Sequence, residues 1–261
     1  NTADSVSFSF DKYISNLNLE NRIGTAVSYG CAKNSIEKFK NDLTFAEVTP
    51  SFLKKYENWM LTNGNSTTTV GIYIRSLRAI YNLQNIDKSV YPFGNGKNKY
   101  TIPTSKNTKK ALTVDEIANI YNYEAEPKSS KEMAKDYWLF LYLCNGMNVK
   151  DFCLLKWENI DGNMLSYKRA KTERSQKQSK RISVALKPET LDIIKKWGLP
   201  SLDENAFIFP HLNTKMNAEQ KRAKYKQLTK LINKYMKRIA NEIGIDKNVT
   251  TYFARHSFAT V

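Results

Sequence analysis

Residues 164–186 read MLSYKRAKTERSQKQSKRISVAL. Residues 164–169 and 181–186 alternate or carry β-branched side chains, and the polar stretch 172–180 lies between them. Such a pair of runs predicts an antiparallel hairpin, with Lys171 where the first strand gives way to the loop. Nearly all of the remaining chain predicts as helix. The hairpin therefore decides between an all-helical protein and one whose second half is mixed α+β.

On the upstream side, a turn at 161–163 leads into the hairpin and follows 155–160 (LKWENI). A short helix is expected over 149–155. Residues 134–144 are almost wholly apolar and end at Asn145-Gly146, which predicts a buried helix with a sharp stop. Leu112-Thr113 followed by Asp115 and Glu116 has the cap and acidic first turn of another helix. Downstream, 188–197 returns to helix and 206–209 (AFIF) predicts a short buried strand or extended piece. A long basic helical region spans 218–243, and 250–260 reads TTYFARHSFAT.

Ahead of this module, 91–110 (YPFGNGKNKYTIPTSKNTKK) is rich in glycine, proline, asparagine and lysine, a boundary signal. Residues 1–90 predict four helices. The first places Phe10, Tyr13, Ile14 and Leu17 on one side, and the second Val27, Ala32, Ile36 and Phe39. Thr49-Pro50 opens the third, and the fourth runs through Val70, Ile74, Leu77 and Ile80. The expected organisation is a helical domain over 1–90, a basic linker over 91–110 and an α+β domain over 111–261.

A chain of 261 residues with 41% hydrophobic residues can fill real cores. Its longest apolar runs are far short of the roughly 20 residues of a membrane span, so no membrane partner is expected. Cys31, Cys144 and Cys153 are scattered, and His211 and His256 lie far apart. Neither a disulfide framework nor a zinc site is legible in them, and a reducing, cytosolic setting is expected. No basic-then-apolar leader is present, and the first residue is Asn1, which reads as a fragment or a processed chain.

The net charge of +16 favours a polyanionic partner without choosing among DNA, RNA and anionic lipid. It is localised. Residues 97–110, 168–181 and 221–238 together hold 20 basic residues against one acidic, so the rest of the chain has no net positive charge. A surface built only for solubility mixes its signs more often. On the fourth helix Arg75 and Arg78 stand beside Tyr73, where they read equally as phosphate contacts and as a solvated edge.

The identification rests on three landmarks in order. They are Asn145-Gly146-Met147-Asn148-Val149-Lys150-Asp151 with the following 155–160, then Lys171-Thr172, then 251–260 (TYFARHSFAT). In this order they resemble the tyrosine recombinase, or phage integrase, family, and their wording resembles integrases of conjugative and mobilisable elements of Bacteroides. The similarity spans essentially the whole chain. It implies an N-terminal four-helix, SAM-like core-site DNA-binding domain and a C-terminal mixed α+β catalytic domain, the latter expected to be truncated before the attacking tyrosine.

The resemblance also implies a chemistry. A site-specific recombinase cleaves and rejoins DNA through a 3′-phosphotyrosine, integrating or excising a mobile element, and needs no metal or other cofactor because the covalent intermediate stores the bond. Arg255 matches the second catalytic arginine, suited to paired hydrogen bonds with the scissile phosphate. Lys171 matches the hairpin lysine, a general acid for the departing 5′ oxygen, with Lys168, Arg169 and Arg174 as weaker alternatives. Tyr252 stands three before Arg255, where the family commonly has histidine, and either donates to phosphate or only packs. His256 braces the helix of Arg255 or acts as an acid or base. Asp151 either orients arginines or is a plain surface carboxylate. Asn148 falls on the first arginine position and brings no charge, so Arg169 or Arg174 is a candidate to supply it.

Arg75, Arg78, Lys97, Lys99, Lys168, Arg169, Arg174, Lys177, Lys221, Arg222 and Lys224 are the residues expected on DNA. The implied partner is duplex DNA with core-type attachment sites, bound by a tetramer, with accessory DNA-bending proteins allowed and a monomer or weak oligomer off DNA. The implied place is the bacterial cytoplasm, at the nucleoid. This chain alone is expected to bind DNA without cleaving it. Two other readings stand beside this one: a DNA-binding regulator with a degenerate recombinase fold, and an RNA-binding or purely structural helical protein.

Overall fold

The computed structural model describes residues 4–84, 86–105, 111–171 and 181–260. Among them, ten α-helices and three short strands divide between two compact units, Asn1–Asn107 and Thr108–Val261.

The first unit contains α1 (Val6–Leu19), α2 (Ile23–Phe39), α3 (Pro50–Thr62) and α4 (Thr67–Tyr81). Side-chain caps set three of the starts. Ser5 accepts from the Phe8 amide, Ser66 from Thr69, and Thr49 from Phe52, with Pro50 in the first turn of α3. The core gathers Phe10, Ile36, Leu53, Tyr56, Met60, Ile74 and Leu77, and Phe39, Phe52, Tyr56 and Trp59 form a cluster of rings at its edge. The expected stripe of α2 is corrected at one place. Val27 is exposed and Ala26 is buried instead, so at this turn the small residue faces inward where α2 packs against its neighbouring helices.

Residues 91–105, expected to begin a linker, instead finish the first unit. Phe93 and Tyr100 are buried in its core. The chain turns back between them, with the Gly94 amide donating to Tyr100 O at 3.0 Å and the Tyr100 amide to Pro92 O at 2.7 Å. The Tyr100 hydroxyl donates to Glu57 at 3.1 Å, and Ser105 meets Thr68 at 2.7 Å. Gly71 on α4 makes room for this strap, since a Cβ there would lie 2.5 Å from the Pro103 carbonyl oxygen. A strap held by two separated aromatic anchors has no helical or strand period, so its composition matches that of a connector.

The second unit is built on α6 (Ser130–Leu143), which packs against α8 (Pro188–Trp197), α9 (Ala218–Glu242) and α10 (Thr251–Phe258). Ahead of it comes α5 (Val114–Asn122), opened by a capping box between Thr113 and Glu116. After it comes α7 (Val149–Cys153). The short β1 (Ile160–Asp161) pairs with β2 (Met164–Lys168), which pairs in turn with β3 (Arg181–Ala185), all antiparallel. The hairpin register runs from Met164↔Ala185 to Lys168↔Arg181, which turns Leu165, Tyr167 and Val184 into the core. The AFIF stretch, expected as a short buried strand or extended piece, is instead a bend that forms a single bridge, between Phe207 and Lys156, with the Ile208 amide donating to Leu155 O at 2.9 Å. Asp136 on α6 is buried and accepts from Lys196 Nζ and Trp197 Nε1, both at 2.8 Å, which ties the end of α8 to the central helix.

Three contacts pin α10. The fully buried Trp138 donates its indole N–H to Thr250 O at 3.0 Å. Asn233 Oδ1 on α9 accepts the Thr251 amide at 2.8 Å. Ser257 Oγ accepts the Leu112 amide at 2.9 Å. No described helix is long and apolar enough to cross a membrane.

Candidate active site

Arg255 lies in the last turn of α10, partly exposed, and its Nη1 donates to Gly146 O at 3.1 Å. Asn145 and Gly146 are both left-handed, with φ of 58° and 64°. A Cβ on Gly146 would lie 2.8 Å from Arg255 Cα. The turn that ends α6 thus meets α10 backbone to backbone, an approach only glycine permits in that conformation.

Two residues later Asn148 is the exposed N-cap of α7, and its side chain makes no capping bond. Asp151, at 5% exposure, is no surface carboxylate. Its Oδ1 accepts the Ala170 amide at 3.0 Å, just beyond the end of β2. Burial raises the Asp151 pKa, opposed by that amide and then by the positive charges of Arg169, Lys150 and Arg255. Tyr167, on the inward face of β2, is pushed up to about 12 by burial; Asp151 adds to the shift while Arg255 and Arg169 oppose it. One buried carboxylate therefore sits in the field of arginines from β2's end and from α10. Lys171, exposed, directly follows the peptide that this carboxylate holds.

Tyr252 is 57% exposed and its ring lies 4.8 Å from that of His256, one turn on along the same helix. His256 accepts from Thr260 Oγ1 through its backbone oxygen. His211 is in a different place. It meets the buried Tyr137 hydroxyl at 3.0 Å, and burial, helped by Lys224, lowers its pKa to about 4. Cys144 and Cys153 are buried thiols pushed up to about 12 by desolvation. Among the described residues no cluster of three His, Cys, Asp or Glu side chains could hold a metal ion.

Of the residues expected on DNA, Arg75 and Arg78 are exposed on α4, and Lys97 is exposed on the strap. Lys99 differs from expectation: it is half-buried and donates to the Tyr91 carbonyl, so its charge is used inside the strap. Lys168 is exposed and Arg169 half-buried beside the carboxylate. Arg174 and Lys177 lie outside the described residues. Lys221 lies over the Phe207 ring, Arg222 is half-buried, and Lys224 is exposed beside His211.

Residues 6–100 match the phage integrase SAM-like domain, and residues 110–261 match the phage integrase family. The chain belongs to the phage integrase family, the tyrosine recombinases. No curated protein matches it. Among solved structures, the Tn1549 transposon integrase in complex with transposon right end DNA is 15% identical, with a TM-score of 0.62 over 98% of this chain and 85% of that one. A lambda integrase fragment bound to DNA is likewise 15% identical, with a TM-score of 0.60 over 98% and 85%. A lambda integrase tetramer bound to a Holliday junction is 14% identical, with a TM-score of 0.60 over 98% and 72%. At these identities the likeness shows the integrase fold: a SAM-like domain followed by a helix-rich catalytic domain with a small antiparallel sheet.

Sequence reading of this phage integrase missed how Arg255 is held. Asn145-Gly146 signals a helix stop, but its second role depends on a partner 109 residues away. It also missed Asp136, whose two partners lie 60 and 61 residues downstream. A polar residue in an otherwise apolar helix is the one local signal that could have found it.

Proposed function

We propose that this chain carries the DNA-holding and phosphate-activating parts of a site-specific recombinase, an integrase that cleaves and rejoins DNA through a 3′-phosphotyrosine intermediate. The observation that carries this reading is the meeting of three distant segments at Asp151: α7, the end of β2 just before Lys171, and Arg255 on α10. The charge concentrated on the hairpin and α9 supplies the field for a duplex.

In this reading Arg255 places its guanidinium on the nonbridging oxygens of the scissile phosphate, where charge builds in the transition state. Its Nη1 already donates to Gly146 O, which fixes the plane of the fork and leaves other N–H groups for phosphate. Lys171, exposed on a hairpin end, protonates the departing 5′ oxygen. Asn148 offers an amide donor at the first arginine position, and Arg169, within the field of Asp151, supplies the charge that Asn148 lacks. Asp151 orients both arginines. Tyr252 donates to a phosphate oxygen, and His256 stacks against it as a brace. The chemistry asks for no cofactor.

The related structures named above include DNA complexes and a tetramer on a Holliday junction, which supports duplex DNA as partner and a tetramer as the working assembly. The reading extends to core-type attachment sites, with a basic α4 edge at Arg75 and Arg78 on one domain and the hairpin on the other. The domain assignment keeps core-site binding in the helical part and catalysis in 111–261. The wording of 145–151 and 251–260 favours a mobile element of Bacteroides type and a place at the bacterial nucleoid.

Suicide duplexes carrying the attachment site, incubated with the complete protein, test the proposal. A covalent protein–DNA adduct is expected. Arg255→Ala should lower it by about 10²–10³-fold or more, and Lys171→Ala by about 10²–10⁴-fold. Tight binding with no adduct from the unaltered protein would instead favour a regulator with a recombinase fold, a reading that Asn148 and Tyr252 keep open.

A further inference from the structure

The second unit holds a cleft of about 200 Å³ that the reaction described above does not use. Met133 at the start of α6 and Pro210 and His211 from the loop before α9 form two of its sides. Lys224, Gln227, Leu228 and Leu231 form the third, at the spacing that puts four residues on one face of a helix. The walls are therefore largely apolar, with His211 and Lys224 as the two cationic or hydrogen-bonding groups set into them.

The tautomer of His211 follows from its one bond. Tyr137 is buried, and desolvation pushes its phenol well up, so the hydroxyl keeps its proton. Among the described residues that hydroxyl has a single partner, His211 Nε2 at 3.0 Å. A buried O–H needs an acceptor, so Tyr137 donates and Nε2 accepts. The ring is neutral, because burial, helped by Lys224, lowers its pKa to about 4. A neutral imidazole that accepts at Nε2 carries its proton on Nδ1. Among the described residues Nδ1 makes no hydrogen bond, yet it is not sealed from solvent. His211 thus offers the cleft an N–H that no protein group takes up.

Lys224 acts on the same ring, and among the described residues it forms no ion pair. Glu132, the neighbour of Met133, is taken up by Lys196 and by the Lys128 amide. Two donors, one of them charged, beside Met133, Pro210, Leu228 and Leu231 fit an anion carried on an apolar body. A phosphate would lose its water against those walls with too few donors in return. A carboxylate has one charge and two oxygens, one for each donor. The volume suits a body of about one benzene ring, since an apolar cavity of about 150 Å³ holds benzene. We infer that this cleft binds a small monocarboxylate with an apolar body, its oxygens on His211 Nδ1 and the Lys224 ammonium and its body between Met133 and Leu231. The site is separate from Arg255 and does not depend on the function proposed above.

The chain has two imidazoles, His211 and His256, so each can be followed by nuclear magnetic resonance of the full chain carrying isotope-labelled histidine. Titration with sodium benzoate at constant ionic strength should move the His211 ring signals to saturation, with a midpoint of about 1 mM, and leave those of His256 in place. Benzamide has the same shape without the charge and should bind about tenfold more weakly. Lys224→Ala removes an exposed side chain, should leave the thermal unfolding curve unchanged, and should weaken benzoate by about threefold to fivefold. A stationary His211, or a shift confined to His256, overturns the site. Shifts that stay linear in benzoate or move both imidazoles together do the same, since they report weak contact over the whole surface. Equal affinity for benzoate and benzamide, or unaltered affinity in Lys224→Ala, overturns the carboxylate as the recognised group. Duplex binding and adduct formation are measured apart from this titration, so none of these outcomes bears on the recombinase reading.

Discussion

Three residues show how little of a side chain's role follows from its type. Asp151 is a carboxylate in the first turn of a five-residue helix, a position that usually faces water. Here it is buried, accepts a backbone amide from the hairpin end, and holds its proton more tightly than a free aspartate because desolvation outweighs the nearby arginines. Arg255 is a last-turn cation, favoured by the helix dipole in any protein, and becomes a candidate phosphate clamp only through its neighbours. His211 is half-buried against Tyr137, and its folded pKa of about 4 lies below the ordinary 6.5. The neutral ring is thus favoured by folding, and the stability it contributes is full above pH 6.5 and lost as pH falls through about 4. The shift corresponds to roughly 2–3 kcal/mol once partial exposure is discounted. Urea unfolding across that window should show the unaltered chain losing about that much more stability than His211→Gln. Parallel losses in the two proteins would mean that His211 is protonated as easily folded as unfolded.

At the scale of elements, α10 is a short helix of eight residues that would not persist alone, and its place is set by what it touches. Trp138 from α6, Asn233 from α9 and the Leu112 amide hold its two ends, and the Asn145-Gly146 turn holds its middle. Gly146 and Gly64 separate two effects of the same substitution. Both have positive φ, but a Cβ on Gly64 meets nothing within 4 Å, whereas one on Gly146 meets Arg255 Cα at 2.8 Å. Gly64→Ala should therefore cost about 1 kcal/mol of backbone strain. Gly146→Ala should cost about 2–4 kcal/mol, the strain plus forced separation of two backbones. Denaturant titration measures both; equal losses would show that the turn and α10 part without resistance. The hairpin follows the same logic in reverse. Its register is legible because Leu165, Tyr167 and Val184 must all face one core, and a slip of one residue would turn them to water.

At the scale of the molecule, two separate cores divide the chain. One is centred on Tyr56, Met60 and Ile74, the other on Trp138, Phe140, Phe152 and Ile232. Each unit therefore has what a domain needs to fold alone. Residues 1–107 and 108–261, produced separately, should each unfold in a cooperative thermal transition followed by circular dichroism. A broad, gradual melt of residues 1–107 would show that the buried strap of Phe93 and Tyr100 is not enough to complete that core.

Much of this organisation is legible in the order of the amino acids alone. The apolar periods of α1, α3, α4, α6 and α9, the caps at Thr49 and Thr113, and the alternation around the polar hairpin loop are local patterns, and local patterns are read from neighbours three or four residues apart. The order of the three landmarks likewise needs only the chain. What tertiary structure decided was the rest: that 91–105 closes the first core, that Val27 yields its place to Ala26, that Asp151 is buried, and that Gly146 and Arg255 touch. Each depends on partners tens of residues away, or on a space that exists only once helices have packed. Composition and period carry information about which face is apolar, but none about which distant backbone will lie against it.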